Sequence, residues 1–170
     1  EIIVTAPDTG SADSVLNLAL SKASPGDRVV LRAGEYRLDG CVRFPQGGEP
    51  GRPIILCAAR GEYVALLGSV RLQGWVKHKG NIWKVKHPPK HVRGMYEDRL
   101  THPRPDWGTR KDPPIDELKS PGTWTQDEHW VYLWTRESDS PDRHRIEASQ
   151  HYVMDVNKPW VRVEGLHMLF

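Results

Sequence analysis

Four short apolar runs, spaced about ten residues apart, leave a chain like this few folds to adopt. They are Val29-Val30-Leu31, Cys41-Val42-Arg43-Phe44, Ile54-Ile55-Leu56-Cys57 and Val64-Ala65-Leu66-Leu67. Each is too short for a helix, and turn clusters separate them: Ala33-Gly34-Glu35, Pro45 to Gly51, and Arg60-Gly61-Glu62. Such spacing predicts mainly β structure, all-β or a β-solenoid with irregular coils. Upstream, Ser11 is placed to cap a helix running to about Lys22, with Val15, Leu16, Ala19, Leu20 and Ala23 on one face. Asp13 in its first turn and Lys22 in its last both suit the helix dipole. A solenoid needs its open end covered, and a single N-terminal helix is a suitable lid.

The second half reads differently. Trp75 to His78, a Lys79-Gly80-Asn81 turn and Ile82 to Val85 predict a hairpin. Pro-rich chain follows from Pro88 to Pro121, and then a second hairpin, Thr123 to Thr125 with Trp130 to Trp134. The last of these strands is apolar on both faces, which predicts a central position. Val161 and Val163, a turn at Gly165, then Leu166 and Met168 predict two further strands. An apolar edge of that kind invites pairing, so the chain is expected to be the front part of a longer protein. The expected organisation is a cap helix with first coils over residues 1–72, an antiparallel insertion over 73–158, and a return to the solenoid over 159–170.

Composition narrows the function classes. Among 170 residues, 24 Lys and Arg stand against 22 Asp and Glu, a net charge of +2. That is far from the basic excess of a dedicated nucleic-acid binder. No apolar run approaches the roughly 20 residues of a membrane span. Two cysteines are too few for a disulfide framework; Cys41 and Cys57 read as buried thiols, with a disulfide as the alternative in an exported protein.

The stretch from Ala23 through Pro25-Gly26-Asp27 to Gly34-Glu35-Tyr36 resembles the opening of right-handed parallel β-helix proteins of the pectate-lyase-like superfamily. Phe44 to Ile54 is similar to that family's first loop and next strand, and Gly61 to Ser69 to the following coil. Asn81 to Lys84, Pro121 to Trp124, Val131 to Trp134 and Ile146 to Ser149 resemble a bacterial subset with an antiparallel β insertion. The resemblance implies an exported protein, extracellular or periplasmic, acting on polysaccharide as a lyase or glycoside hydrolase. It implies that the catalytic residues lie on later coils, so none is assigned here. No cofactor and no metal are expected, and the chain is expected to be a monomer.

Candidate binding residues come from charge and aromatic content. The segment between Glu62 and Glu97 holds no acid but carries seven Lys and Arg, with Trp75 and Trp83 interleaved. Cations pair with uronates and indoles stack on sugar faces; the alternative is a solvated hairpin with core tryptophans. Arg99, His102, Arg104 and Trp107 in the Pro-rich loop complete the expected substrate-binding set, against the alternative of ion pairs that merely pin the loop. Trp124, Trp130, Tyr132 and Trp134 form either a stacking platform or core, and core packing is the favoured reading. Glu137, Asp139 and Asp142, flanked by arginines, read as a solvated turn. The expected function is therefore polysaccharide cleavage by the whole protein, with the slight positive balance leaning toward an acidic glycan. A non-catalytic glycan-binding or surface-adhesion module is the rival, and a structural cap without ligand is the third reading.

Overall fold

The apolar runs of the first half become strands that pair in parallel and are shared among three separate stacks. The computed structural model describes residues 1–103 and 112–169, which divide into two units. One unit comprises Glu1–Ser69 with His151–Phe170, the other Val70–Gln150. The fold is mainly β, with one α-helix among the described residues and sheets of mixed sense.

The first unit begins with β1 (Ile2–Val4), α1 (Ala12–Lys22), β2 (Arg28–Leu31), β3 (Gly34–Arg37), β4 (Val42–Arg43), β5 (Ile54–Ala58) and β6 (Val64–Leu67). The second unit takes up the chain with β7 (Ser69–Arg71), β8 (Val76–Lys79), β9 (Ile82–Lys86), β10 (Gly94–Glu97) and β11 (Leu100–His102). It ends with β12 (Thr123–Gln126), β13 (Trp130–Trp134) and β14 (Ile146–Ser149). Then β15 (Met154–Asp155), β16 (Val161–Glu164) and β17 (His167–Leu169) return to the first unit.

Three parallel stacks build the first unit, ordered β1-β2-β5-β16, β3-β6-β17 and β4-β15. Their register aligns Ile2, Val29, Leu56 and Val163 in one row, and Tyr36, Leu66 and Met168 in another. Successive strands therefore place apolar residues over apolar residues, and each fully buried Leu or Val contributes about 1.5–3 kcal/mol. Tyr36 carries a hydroxyl into this interior, where it lies 2.9 Å from the carbonyl oxygens of both Val4 and Arg32. Burial pushes its pKa up.

Helix α1 packs Ala12, Leu16, Ala19 and Leu20 against this core, while Val15 is exposed and does not belong to the buried stripe. Ser11 has the extended backbone of an N-cap, yet its hydroxyl makes no cap bond; it donates to Asp13 and accepts from Asp39 N. Asn17 ties the helix to β4, donating to Cys41 O and accepting from Arg43 N. The expected turn at Ala33-Gly34-Glu35 is instead largely strand β3, where Tyr36 alone of four residues is buried and no alternation betrays the pairing. Cys41 and Cys57 are free thiols, the second buried.

The second unit is antiparallel, with sheets ordered β11-β10-β14-β7 and β12-β13-β9-β8. They share a core of Trp75, Val85, Met95, Trp124, Val131, Leu133, Ile146 and Ala148. Strand β13 lies between β12 and β9, the central position its two apolar faces require.

Candidate functional site

Alternation along β13 divides its large residues between two faces. Register pairs Leu133 with Trp83 and Trp124, and Val131 with Val85, so this face is the core. Trp130, Tyr132 and Trp134 occupy the opposite face. There the Lys84 ammonium lies 4.2 Å from the Trp130 ring centroid, and His78 meets Tyr132 edge to face at 5.2 Å. The Tyr132 hydroxyl donates to Asp127 at 2.9 Å, and burial together with that carboxylate pushes its pKa up to about 12. Trp134 Nε1 donates to Ser138 Oγ at 2.8 Å, which fixes the orientation of the indole.

Beside Trp134 lies an open cleft of about 630 Å³. The tip of the β8–β9 hairpin, His78 to Ile82, forms one wall; Ile115, Asp116 and Leu118 form another. The volume lies within the range of small-molecule sites, and the lining joins apolar side chains to a few separated polar groups. An indole, an amide (Asn81), an ammonium (Lys79) and a carboxylate (Asp116) are the parts needed to stack on a ring and hydrogen-bond its hydroxyls.

The residues expected from sequence are distributed differently. Trp75 is only 5% exposed and belongs to the core, because β8 begins just after it and its side chain turns toward Met95 and its neighbours. Trp83 is half-buried on the same side, with the Lys77 ammonium 5.3 Å from its ring centroid. The His102 side chain is fully buried against Glu97, since residues 95, 97 and 102 share the inward face of β10 and β11. Trp75 and His102 are thus withdrawn from solvent and present no surface to a substrate. Arg99 is exposed in the two-residue turn Asp98-Arg99, whose φ angles are 50° and 71°. Arg104 and Trp107 lie outside the described residues. Of the suspected platform, Trp124 is core while Trp134 lines the cleft; period-two alternation along Trp130–Trp134 is the signal that separates them. Asp116 carried no sequence signal, because only folding brings it to the hairpin tip.

A second cluster of titratable groups surrounds His144. Its Nδ1 lies 2.7 Å from Asp98 Oδ2 and 3.7 Å from Glu97 Oε1, and its Nε2 lies 2.8 Å from Asp139 Oδ1. Glu97, Asp98 and His144, and likewise Glu137, Asp139 and His144, bring ligand-type atoms within 4.8 Å of one another, the residue types that hold a metal. Both ring nitrogens are nevertheless engaged by carboxylates, the arrangement of a clamped imidazolium. Asp139 is thus more than part of a solvated turn. Burial lowers the His144 pKa, but the bonds to Asp98 and Asp139 outweigh it and the net shift is upward. Arg145 N–H and His144 hold Asp98 below its usual range, and His144 does the same for Asp139.

The pH dependence follows by linkage. His144, raised above 6.5, contributes stability that is complete below that value and lost as pH rises through its folded pKa. The two aspartates, lowered below 3.8, contribute above that value and lose it as pH falls through their folded pKa values. Thermal stability should therefore be highest between about pH 4 and 6.5 as far as this cluster is concerned. Scanning calorimetry from about pH 5 to about pH 9 should show a melting temperature that declines on the alkaline side. The decline should flatten in His144→Asn; an identical decline in the variant would remove the clamp as its cause.

No family model matches the chain, and no curated protein matches it. Among solved structures, XylC in complex with xylose superposes with a TM-score of 0.71 and 18% identity, over 90% of this chain and 31% of that one. A glycoside hydrolase superposes with a TM-score of 0.69 and 13% identity, over 98% of this chain and 50% of that one. The chain shares the fold of these two proteins over a third to a half of their length.

Proposed function

We propose that this chain is part of a carbohydrate-active protein and that the second unit binds polysaccharide in the cleft beside Trp134. The observation that carries the reading is that cleft: an indole fixed by Ser138, flanked by an ammonium, an amide and a carboxylate. The two solved structures of shared fold support it, one containing xylose and the other a glycoside hydrolase. In the same proposal the first unit supplies opening coils of a right-handed parallel β-helix under an N-terminal cap, and the second unit is an insertion. The three parallel stacks and the packing of α1 on the core support that part. An exported location, extracellular or periplasmic, belongs to the same reading.

For the whole protein we propose glycosidic bond cleavage, with hydrolysis ahead of elimination. Hydrolysis uses two carboxylates flanking the bond. Asp116 is the one carboxylate among the described residues lining the cleft, which favours binding rather than cutting at this position. Trp134→Ala should weaken binding to a soluble polysaccharide at least about tenfold, or about 1.4 kcal/mol, in affinity electrophoresis across a glycan panel. Leu18→Ala, at an exposed position on α1, should leave it unchanged. Equal retardation of the native chain and Trp134→Ala on every retained glycan would defeat the reading.

A further inference from the structure

The hairpin β8–β9 carries Lys77, Lys79, Lys84 and Lys86 on a segment without acids, which in sequence suggests an acidic ligand. The fold rearranges that charge. Lys77 lies over Trp83 and Lys84 over Trp130, so two of the four ammonium groups face indole rings of the protein itself. Only Lys79 of the four lines the cleft, and the fold sets Asp116 in the same lining. Neither Lys79 nor Asp116 has an ion-pair partner among the described residues, so the two stand in one cleft without neutralising each other directly. His78, the remaining titratable group of the lining, has its ring against Tyr132.

From this balance we infer that the cleft selects a neutral sugar unit, not a uronate or sulfated one. A ring stacked on Trp134 presents hydroxyls that are both donors and acceptors. Asp116 accepts from them, Lys79 donates to them, and Asn81 does either. A carboxylate on the ligand gains one ammonium but meets the Asp116 charge in the same cleft, so its net electrostatic advantage is small. The inference rests on the glycan-binding reading and gives its site a substrate class.

Calorimetric titration of the chain with xylotetraose, cellotetraose and tetragalacturonate, at low and high salt, tests it. At least one neutral tetrasaccharide should bind with an affinity that salt barely changes, and tetragalacturonate should bind at least about tenfold more weakly. Asp116→Asn and Lys79→Gln, both at exposed positions where folding is not at stake, should each weaken the neutral ligand several-fold. Asp116→Asn should also bring tetragalacturonate closer to it. Tighter, salt-sensitive binding of tetragalacturonate by the native chain would overturn the neutral class and leave glycan binding standing. Neutral binding that ignores both substitutions would overturn the assignment to this cleft. Binding of none of the three would remove the glycan reading and this inference together.

Discussion

Gly48→Ala should destabilise the first unit by about 3–5 kcal/mol, at the upper end of what one substitution does. A Cβ at this position would fall 2.6 Å from the carbonyl oxygens of both Arg52 and Trp160, and 2.8 Å from Ile54 N. All three are backbone atoms, so no side chain can rotate away to make room. The same backbone is held by Ile54 N–H donating to Trp160 O at 3.0 Å and Gly48 N–H donating to Pro159 O at 3.2 Å. Relief must therefore come at the start of the β5–β16 pairing, where Ile54 faces Val161. Hydrogen exchange read by mass spectrometry should show lost protection in peptides covering β5 and β16. A cost below about 1 kcal/mol in denaturant unfolding would mean that this loop yields without disturbing the strands.

Glu97→Ala should cost the second unit about 2–4 kcal/mol, because it removes the buried carboxylate that two partners, the His102 ring and the Arg136 N–H, share. Glu97 and His102 are 2% exposed each, and their side chains meet at 2.8 Å. The carboxylate also accepts from Arg136 N at 3.2 Å and faces His144 Nδ1 at 3.7 Å. Truncation strands His102 in the interior, with its Nδ1 already lacking a hydrogen-bond partner among the described residues. It also leaves the Arg136 N–H without its acceptor. Glu97→Gln keeps an oxygen for Arg136 and a polar partner for His102, so it should lose less than half as much. Urea unfolding followed by far-ultraviolet circular dichroism compares the two; equal losses would show that the negative charge itself, not the hydrogen-bonding shape, holds the cluster.

These residues also mark where sequence and structure part. The strands with the strongest local signal, β2, β5, β6 and β13, are evident from runs of apolar residues with turn punctuation. The parallel pairing of β2, β5 and β6 enters only through resemblance, since spacing alone does not distinguish one neighbour from another. β3 is invisible because a single buried tyrosine makes no pattern. In the site, Trp75 and Trp83 carry the same local chemistry as Trp134, and only the side of the sheet each occupies separates core from cleft. His102 looks solvent-facing in a polar, Pro-rich stretch, yet strand alternation turns it inward onto Glu97. Asp116 is the clearest case, for its importance depends wholly on a hairpin more than 30 residues upstream, at Lys79 to Asn81.

The uneven placement of the indoles has an optical consequence. Of the seven tryptophans, Trp160 alone falls outside Val70–Gln150, and it is 53% exposed. Emission excited in the indole band is therefore a spectrum of the second unit with one solvent-facing fluorophore added. A small collisional quencher will extinguish the Trp160 contribution early, while the blue-shifted emission of the buried Trp75 and Trp124 will persist and report on the antiparallel unit, staying silent about the parallel stacks.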